Sequence, residues 1–383
     1  MGTVQGKNLV ICLDGTGNQL RVSRNTNVLR LFDMLDYSDE SRQIAYYDPG
    51  VGTFSALGSW TPFGRRISRL AGLAFGTGLR HNLGEAYLFL MQNWQPEDRL
   101  YLFGFSRGAY AVRALAGLLD TIGMLHPHEA NLVPYAISAY ARKWSPQHGD
   151  TRSGGADQKS LADRFRDSFA RRLGSSEPER VRVQYLGLWD TVEASGHLRG
   201  KLRWKGIDDV PNAVAARHAA SIDERRWPYK IVPLVDPPGA APSEKRQQVW
   251  FPGVHSDIGG TFPDPEPPCR LSDVTLKWVV DGGLDAGLRV DLARYLAECT
   301  LYDEHTRAPV NRNALPWLPL SFSTRPLRDE LVHATAKDRP KLAGRATYAD
   351  DRWWLPYGAD EVAEPAHWPG NGNGNGRQEQ TRH

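Results

Sequence analysis

Short apolar runs recur along the chain, and between them apolar positions return at intervals of three and four residues. The runs Asn8 to Asp14, Gln43 to Asp48, Arg99 to Ser106, Val181 to Asp190, Tyr229 to Val235 and Gln247 to Val254 have the length and near-continuous hydrophobicity of strands buried on both faces. Behind the cap candidates Asn25 and Thr26, Val28, Leu31, Phe32 and Leu35 mark one face of a helix. Leu83, Ala86, Tyr87, Leu90 and Trp94 mark a second. Strand and helix in alternation predict an α/β fold with a mostly parallel central sheet and helices on both faces. Several runs end in Asp or Ser, and the carboxyl ends of strands are where open parallel sheets bind ligands.

The rhythm breaks once. From about 126 to 180 two amphipathic helices, NLVPYAISAYARKW and LADRFRDSFARRL, flank the polar linker HGDTRSGGADQKS, which suits a helical cap or lid inserted into the domain. The final stretch 369–383 contains NGNGNGRQEQTRH, which has no apolar side chain to offset the entropy of ordering, and it reads as a disordered tail. One domain spanning 1–368 accounts for the rest.

With 383 residues, 40% of them hydrophobic, the chain can bury a full core without a disulfide or metal staple. Its three cysteines, Cys12, Cys269 and Cys299, are scattered and have neither disulfide-framework nor zinc-ligand spacing. A net charge of +3 is too thin for a nucleic-acid footprint. The N-terminus reads as a polar lead into a buried strand rather than a signal peptide, and no run of apolar residues is long enough to span a bilayer. The expectation is a cytoplasmic protein, or one exported without a cleavable signal. Its oligomeric state is not encoded in these patterns.

The strongest chemical signal is RLYLFGFSRGAYAVRALAGLL, residues 99 to 119. An apolar strand runs into Gly104-Phe105-Ser106-Arg107-Gly108, and a helix with Val112, Leu115, Ala116 and Leu119 on one face follows. This is G-x-S-x-G in the strand-turn-helix setting that presents a nucleophilic serine in α/β-hydrolases. The glycines remove Cβ atoms that would collide across so sharp a turn, and the helix N-terminus aims N–H groups at an oxygen that becomes negative. The Arg107 N–H is the first oxyanion donor expected, with Gly15 and Thr16, just past the first strand, supplying the second. Arg107 also offers a guanidinium to a substrate phosphate, set against a structural ion pair at the elbow.

A serine needs a histidine to take its proton and a carboxylate to orient that histidine. The order Ser, acid, His admits Asp257 with His333, or Asp190 with His255. Order alone does not separate them. If His255 and Asp257 lie on an extended segment they point the same way. A cation site built from Asp14, Asp190, His255 and Asp257 is a further reading, since all four sit at strand ends. A non-catalytic scaffold keeping the hydrolase shell is the alternative to an enzyme.

Five motifs in order, CLDGTGN (12–18), GFSRGAYAVRALAG (104–117), LGLWDTVEASG (186–196), RHAASIDERR (217–226) and WFPGVHSDIGG (250–260), resemble the α/β-hydrolase domain shared with phospholipase effectors of bacterial type VI secretion. The similarity runs over about 7 to 360. It implies a Ser-Asp-His lipase-like site that cleaves acyl esters of phospholipids, with no metal or other cofactor and with transient contact to a membrane surface. It also implies a His-x-Ser motif after the HSD segment, and His333-Ala334-Thr335 stands at the matching place with Thr for Ser. On that ground Ser106, Asp257 and His333 form the preferred set, with Asp190 and His255 held as alternates.

Overall fold

The computed structural model describes residues 6–15, 25–50, 62–142, 160–172, 181–193, 204–239, 243–262, 269–301, 305, 308–311, 325 and 331–336. The run NLVICL folds as strand β1 (Asn8–Leu13), fully buried along its length. Leu9, Ile11 and Leu13 face one core while Val10 and Cys12 face the other, the period-two alternation of a strand enclosed between two helical layers. Helix α1 (Asn27–Met34) follows, and Thr26 caps it by accepting a bond from the Leu29 N–H at 3.2 Å.

The remaining elements are β2 (Gln43–Asp48), α2 (Pro62–Asn93), β3 (Arg99–Phe105), α3 (Arg107–Thr121), α4 (Val133–Arg142), α5 (Leu161–Phe169), β4 (Val183–Trp189), β5 (Ala216–Ser221), β6 (Arg246–Phe251), α6 (His255–Gly259), α7 (Leu271–Asp285), α8 (Leu292–Cys299) and the short β7 (Leu331–Val332). Seven strands pair in the order β2-β1-β3-β4-β5-β6-β7, and every pair is parallel. β3 therefore sits inside the sheet, flanked by β1 and β4. All carboxyl ends open on the same edge.

One face is covered by α2, α3 and α4, with Leu83, Tyr87, Leu115, Leu118 and Ile137 packed on Leu9, Leu102 and Leu186. The other carries α1, α7 and α8, with Leu31, Trp278 and Val279 on Tyr101, Phe103 and Phe251. Burying such side chains stabilises the fold by about 1.5–3 kcal/mol apiece.

Two sequence expectations change. Tyr229 to Val235 does not form a strand: a 3₁₀ turn occupies Trp227–Tyr229, and Ile231 makes a single bridge to Val192. Its place is taken by β5, whose ARHAAS carries no β-branched residue and becomes a strand because β4 and β6 offer ladders on both sides. The helices expected to form a cap pack instead in the α2/α3 layer: Val133, Ala136, Ile137 and Tyr140 of α4 and Ala162 of α5 join that core. The linker between them and the tail 369–383 lie outside the described residues.

Candidate active site

Gly104 and Gly108 make the bend at the end of β3 possible. A Cβ on Gly104 would stand 2.6 Å from the Ala109 nitrogen, and one on Gly108 would stand 2.1 Å from the Leu13 carbonyl oxygen. Between them Ser106 adopts φ 60°, ψ −122°, a backbone state that non-glycine residues rarely hold. Neighbours fix it there. The Ser106 N–H donates to the Trp189 carbonyl at 3.0 Å, and its own carbonyl accepts from Val192 and Tyr110, each at 3.3 Å.

The Ser106 hydroxyl meets His255 Nε2 at 2.8 Å, and His255 Nδ1 meets Asp190 Oδ2 at 2.6 Å. A carboxylate can only accept, so Nδ1 carries the proton and Nε2 presents its lone pair to the hydroxyl. His255 opens α6 just beyond β6, and Asp190 sits one residue past β4 at φ 38°. The imidazole is stacked on Phe105 at 4.6 Å and flanked edge-on by Tyr229 at 4.8 Å. Burial pushes its pKa below the ordinary 6.5, against the pull of Asp190, so the ring is neutral at neutral pH.

Asp190 is fully buried, which by itself would raise its pKa, but Arg325 and His255 hold it well below the usual carboxylate range. Arg325 donates to both carboxylate oxygens, at 2.6 and 3.1 Å. The Ser221 N–H at the end of β5 adds a third donor at 3.0 Å. On the opposite side Glu224 accepts from the His255 N–H at 3.1 Å and forms a fork with Arg226 at 2.9 and 2.7 Å. The Arg226 guanidinium lies 3.7 Å above the Tyr229 ring. His218, buried beside the turn, accepts from the Thr191 N–H at 3.1 Å, and burial drops its pKa to about 3.

Of the residues singled out in the sequence, Ser106, Asp190 and His255 come together, and the preferred partners of Ser106 do not join them. His333 stacks on Phe251 at 4.6 Å and shares its Nδ1 with Thr335 at 3.1 Å. Asp257 accepts from Asn311 Nδ2 at 2.6 Å and from the Val254 N–H at 2.9 Å, so it caps α6 and pins the segment at 311. The physical reason is the local period. The HSD motif is helical, so residues two apart differ by about 200° in direction and Asp257 points away when His255 points to Ser106. Burial raises Asp257 to a pKa of about 6.

Gly15 stands beside the elbow, but its N–H donates to Asp14 Oδ1 at 2.6 Å, which corrects its expected place as an oxyanion donor. Thr16 lies outside the described residues. Arg107 is the first residue of α3, at the positive end of the helix dipole, and burial lowers the pKa of its guanidinium. Asp14 is held by Thr26 and by the Tyr47 hydroxyl, while Asp190 and Asp257 serve separate networks, so the four proposed cation ligands do not converge. Among the described residues no cluster of His, Cys, Asp and Glu suits a metal ion, and no described helix is long and apolar enough to cross a membrane.

Sequence reasoning missed Glu224, Arg226 and Arg325. The first two carried a readable signal, since Asp223 to Arg226 is a charged cluster directly after the buried strand β5. Arg325 carried none, because nothing local marks an arginine that reaches back over a hundred residues to a strand end.

Comparison with known proteins places the chain in a family. Residues 7–282 match the profile described as "T6SS, Phospholipase effector Tle1-like, catalytic domain". An uncharacterized protein of Saccharomyces cerevisiae is 35% identical over 237 residues, covering 59% of this chain and 32% of the yeast protein. The chain thus spans about a third of the length of that curated relative. Two solved structures align at TM-score 0.41: an uncharacterized protein from Pseudomonas aeruginosa, 19% identical and covering 79% of this chain and 48% of that one, and a Tle1 effector bound to the VgrG spike of the type VI secretion system, 15% identical and covering 78% of this chain and 77% of that one. The chain belongs to the family of Tle1-like phospholipase effector catalytic domains of type VI secretion.

Proposed function

We propose that the chain is a serine hydrolase that cleaves acyl ester bonds of phospholipids, with Ser106 as nucleophile, His255 as base and Asp190 as the group that orients it. The observation that carries the reading is the unbroken line of bonds from the Ser106 hydroxyl through both imidazole nitrogens to Asp190. As Ser106 Oγ attacks the ester carbonyl, its proton passes to His255 Nε2, and Asp190 stabilises the imidazolium formed. The carbonyl oxygen, now an oxyanion, is met by the Arg107 N–H at the head of α3. Collapse breaks the bond to the leaving alcohol, which takes the proton from Nε2. Water then attacks the acyl-serine by the same relay and releases the fatty acid. Membership of a phospholipase-effector family supports a phospholipid substrate, and in this reading the chain meets it at a bilayer surface.

A fluorophosphonate probe tests the reading. It should label the wild-type chain at Ser106, and neither Ser106→Ala nor His255→Ala should react. Purified folded protein that is not labelled and releases no fatty acid from phosphatidylcholine or phosphatidylethanolamine vesicles overturns it.

A further inference from the structure

We propose that Arg325 is a positioning residue of the hydrolytic site, a clamp that fixes the Asp190 carboxylate and sets the pH range in which His255 works as a base. The inference rests on the reading of Ser106, His255 and Asp190 given above. It concerns a residue outside the 7–282 span that carries the family match.

The geometry is that of a brace rather than a surface ion pair. One guanidinium nitrogen reaches Asp190 Oδ1 at 2.6 Å and the Ser221 carbonyl at 3.0 Å. The other reaches Asp190 Oδ2 at 3.1 Å and the Tyr229 carbonyl at 2.6 Å. Arg325 thereby ties together the end of β4, the end of β5 and the turn that walls His255. Its side chain is 5% exposed and that of Asp190 is fully buried, so the pair is desolvated and the fork is held in one orientation.

Two consequences follow for the base. Asp190 Oδ2 receives both the His255 Nδ1–H and an Arg325 N–H, so a carboxylate that would otherwise be free to rotate presents one oxygen to the imidazole. The guanidinium charge also offsets the carboxylate charge next to that imidazole. Among the described residues, the groups facing His255 are Asp190 and Arg325 beyond Nδ1, Glu224 and Arg226 at its backbone, Ser106 at Nε2 and the rings of Phe105 and Tyr229. Each of the two carboxylates is matched by an arginine, and removing Arg325 leaves the balance negative. A negative field favours imidazolium, so the base becomes protonated at a higher pH.

The test is the pH profile of kcat/KM for a water-soluble ester, together with an NMR titration of the His255 ring, in wild type, Arg325→Gln and Arg325→Lys. Arg325→Gln should move the acid limb and the His255 titration up by about one pH unit and lower kcat ten- to a hundredfold. Arg325→Lys keeps the charge but cannot fork, so it should lower kcat about tenfold with the limb near its wild-type place. A brace of purely structural importance would lower kcat without moving the limb in either variant, and that result overturns the proposal. Should Arg325→Gln fail to fold, Arg325→Met, neutral and of similar length, takes its place: a limb moved up by about one pH unit supports the clamp, a limb at its wild-type place overturns it, and wild-type kcat in Arg325→Lys overturns it as well. A wild-type chain with no ester turnover and no labelling at Ser106 would instead overturn the hydrolase reading and this inference with it, whereas an active wild type with indifferent variants sinks the clamp alone.

Discussion

Replacing Asp190 by Asn is the sharpest perturbation of the site, because it keeps the shape and changes which atoms can accept. Asp190 Oδ1 takes bonds from Ser221 and Arg325, and Oδ2 takes them from His255 and Arg325. The amide has one oxygen and one donor group. At the Oδ1 place an NH₂ would oppose two fixed donors, Arg325 at 2.6 Å and the Ser221 N–H at 3.0 Å. At the Oδ2 place it opposes Arg325 at 3.1 Å and an imidazole that can switch to accepting, so the NH₂ turns toward His255. His255 Nδ1 must then accept, its proton moves to Nε2, and the ring offers Ser106 a donor where a base is needed. Loss of tautomer control of this kind costs about 10⁴ in kcat in the serine-protease case, which is about 5.4 kcal/mol in activation free energy. The same change strips Arg325 of its counter-ion in a buried place, and removing one partner of such a pair costs about 3–5 kcal/mol of stability. Hydrolysis of a short-chain p-nitrophenyl ester at pH 8 should be measured well below the melting temperature of the variant, with circular dichroism showing that it is folded. Asp257→Asn is the comparison and should lose less than tenfold in kcat. Folded Asp190→Asn protein with kcat within tenfold of wild type, or a larger loss in Asp257→Asn, would refute the reasoning.

Three further outcomes are expected. Because burial holds the His255 pKa below 6.5, kcat/KM should stay flat through neutrality and fall only as pH drops beneath that value, and an acid limb above it would contradict the neutral, buried base. His333→Gln should lower the melting temperature by disturbing the stack on Phe251 while leaving kcat within about threefold of wild type, and a loss of a thousandfold would return His333 to the site. Gly108→Ala should abolish soluble expression or probe labelling, since its Cβ meets the Leu13 carbonyl at 2.1 Å and clearing that backbone contact costs more than about 3 kcal/mol; normal labelling would show that the elbow can shift.

What the sequence made legible was local. The strands that became β1, β2, β3, β4 and β6 are apolar runs, and the elbow at Ser106 announces itself through glycines whose absence of side chain the turn requires. β5 was illegible because its pairing, not its composition, makes it a strand. The choice of Asp257 with His333 over Asp190 with His255 rested on the place of His333-Ala334-Thr335, and neither that motif nor the order along the chain encodes which imidazole folds back to Ser106. Arg325 was illegible for a different reason: its role is set by where the chain returns to, and no pattern around residue 325 encodes the destination.

Every strand in the sheet runs the same way, and its order has a consequence for synthesis. A ribosome makes Ser106 long before His255, the imidazole bonded to it, and Arg325, which grips Asp190, later still. On the proposed reading, a truncated product ending between them lacks the base or its brace, whatever it manages to fold.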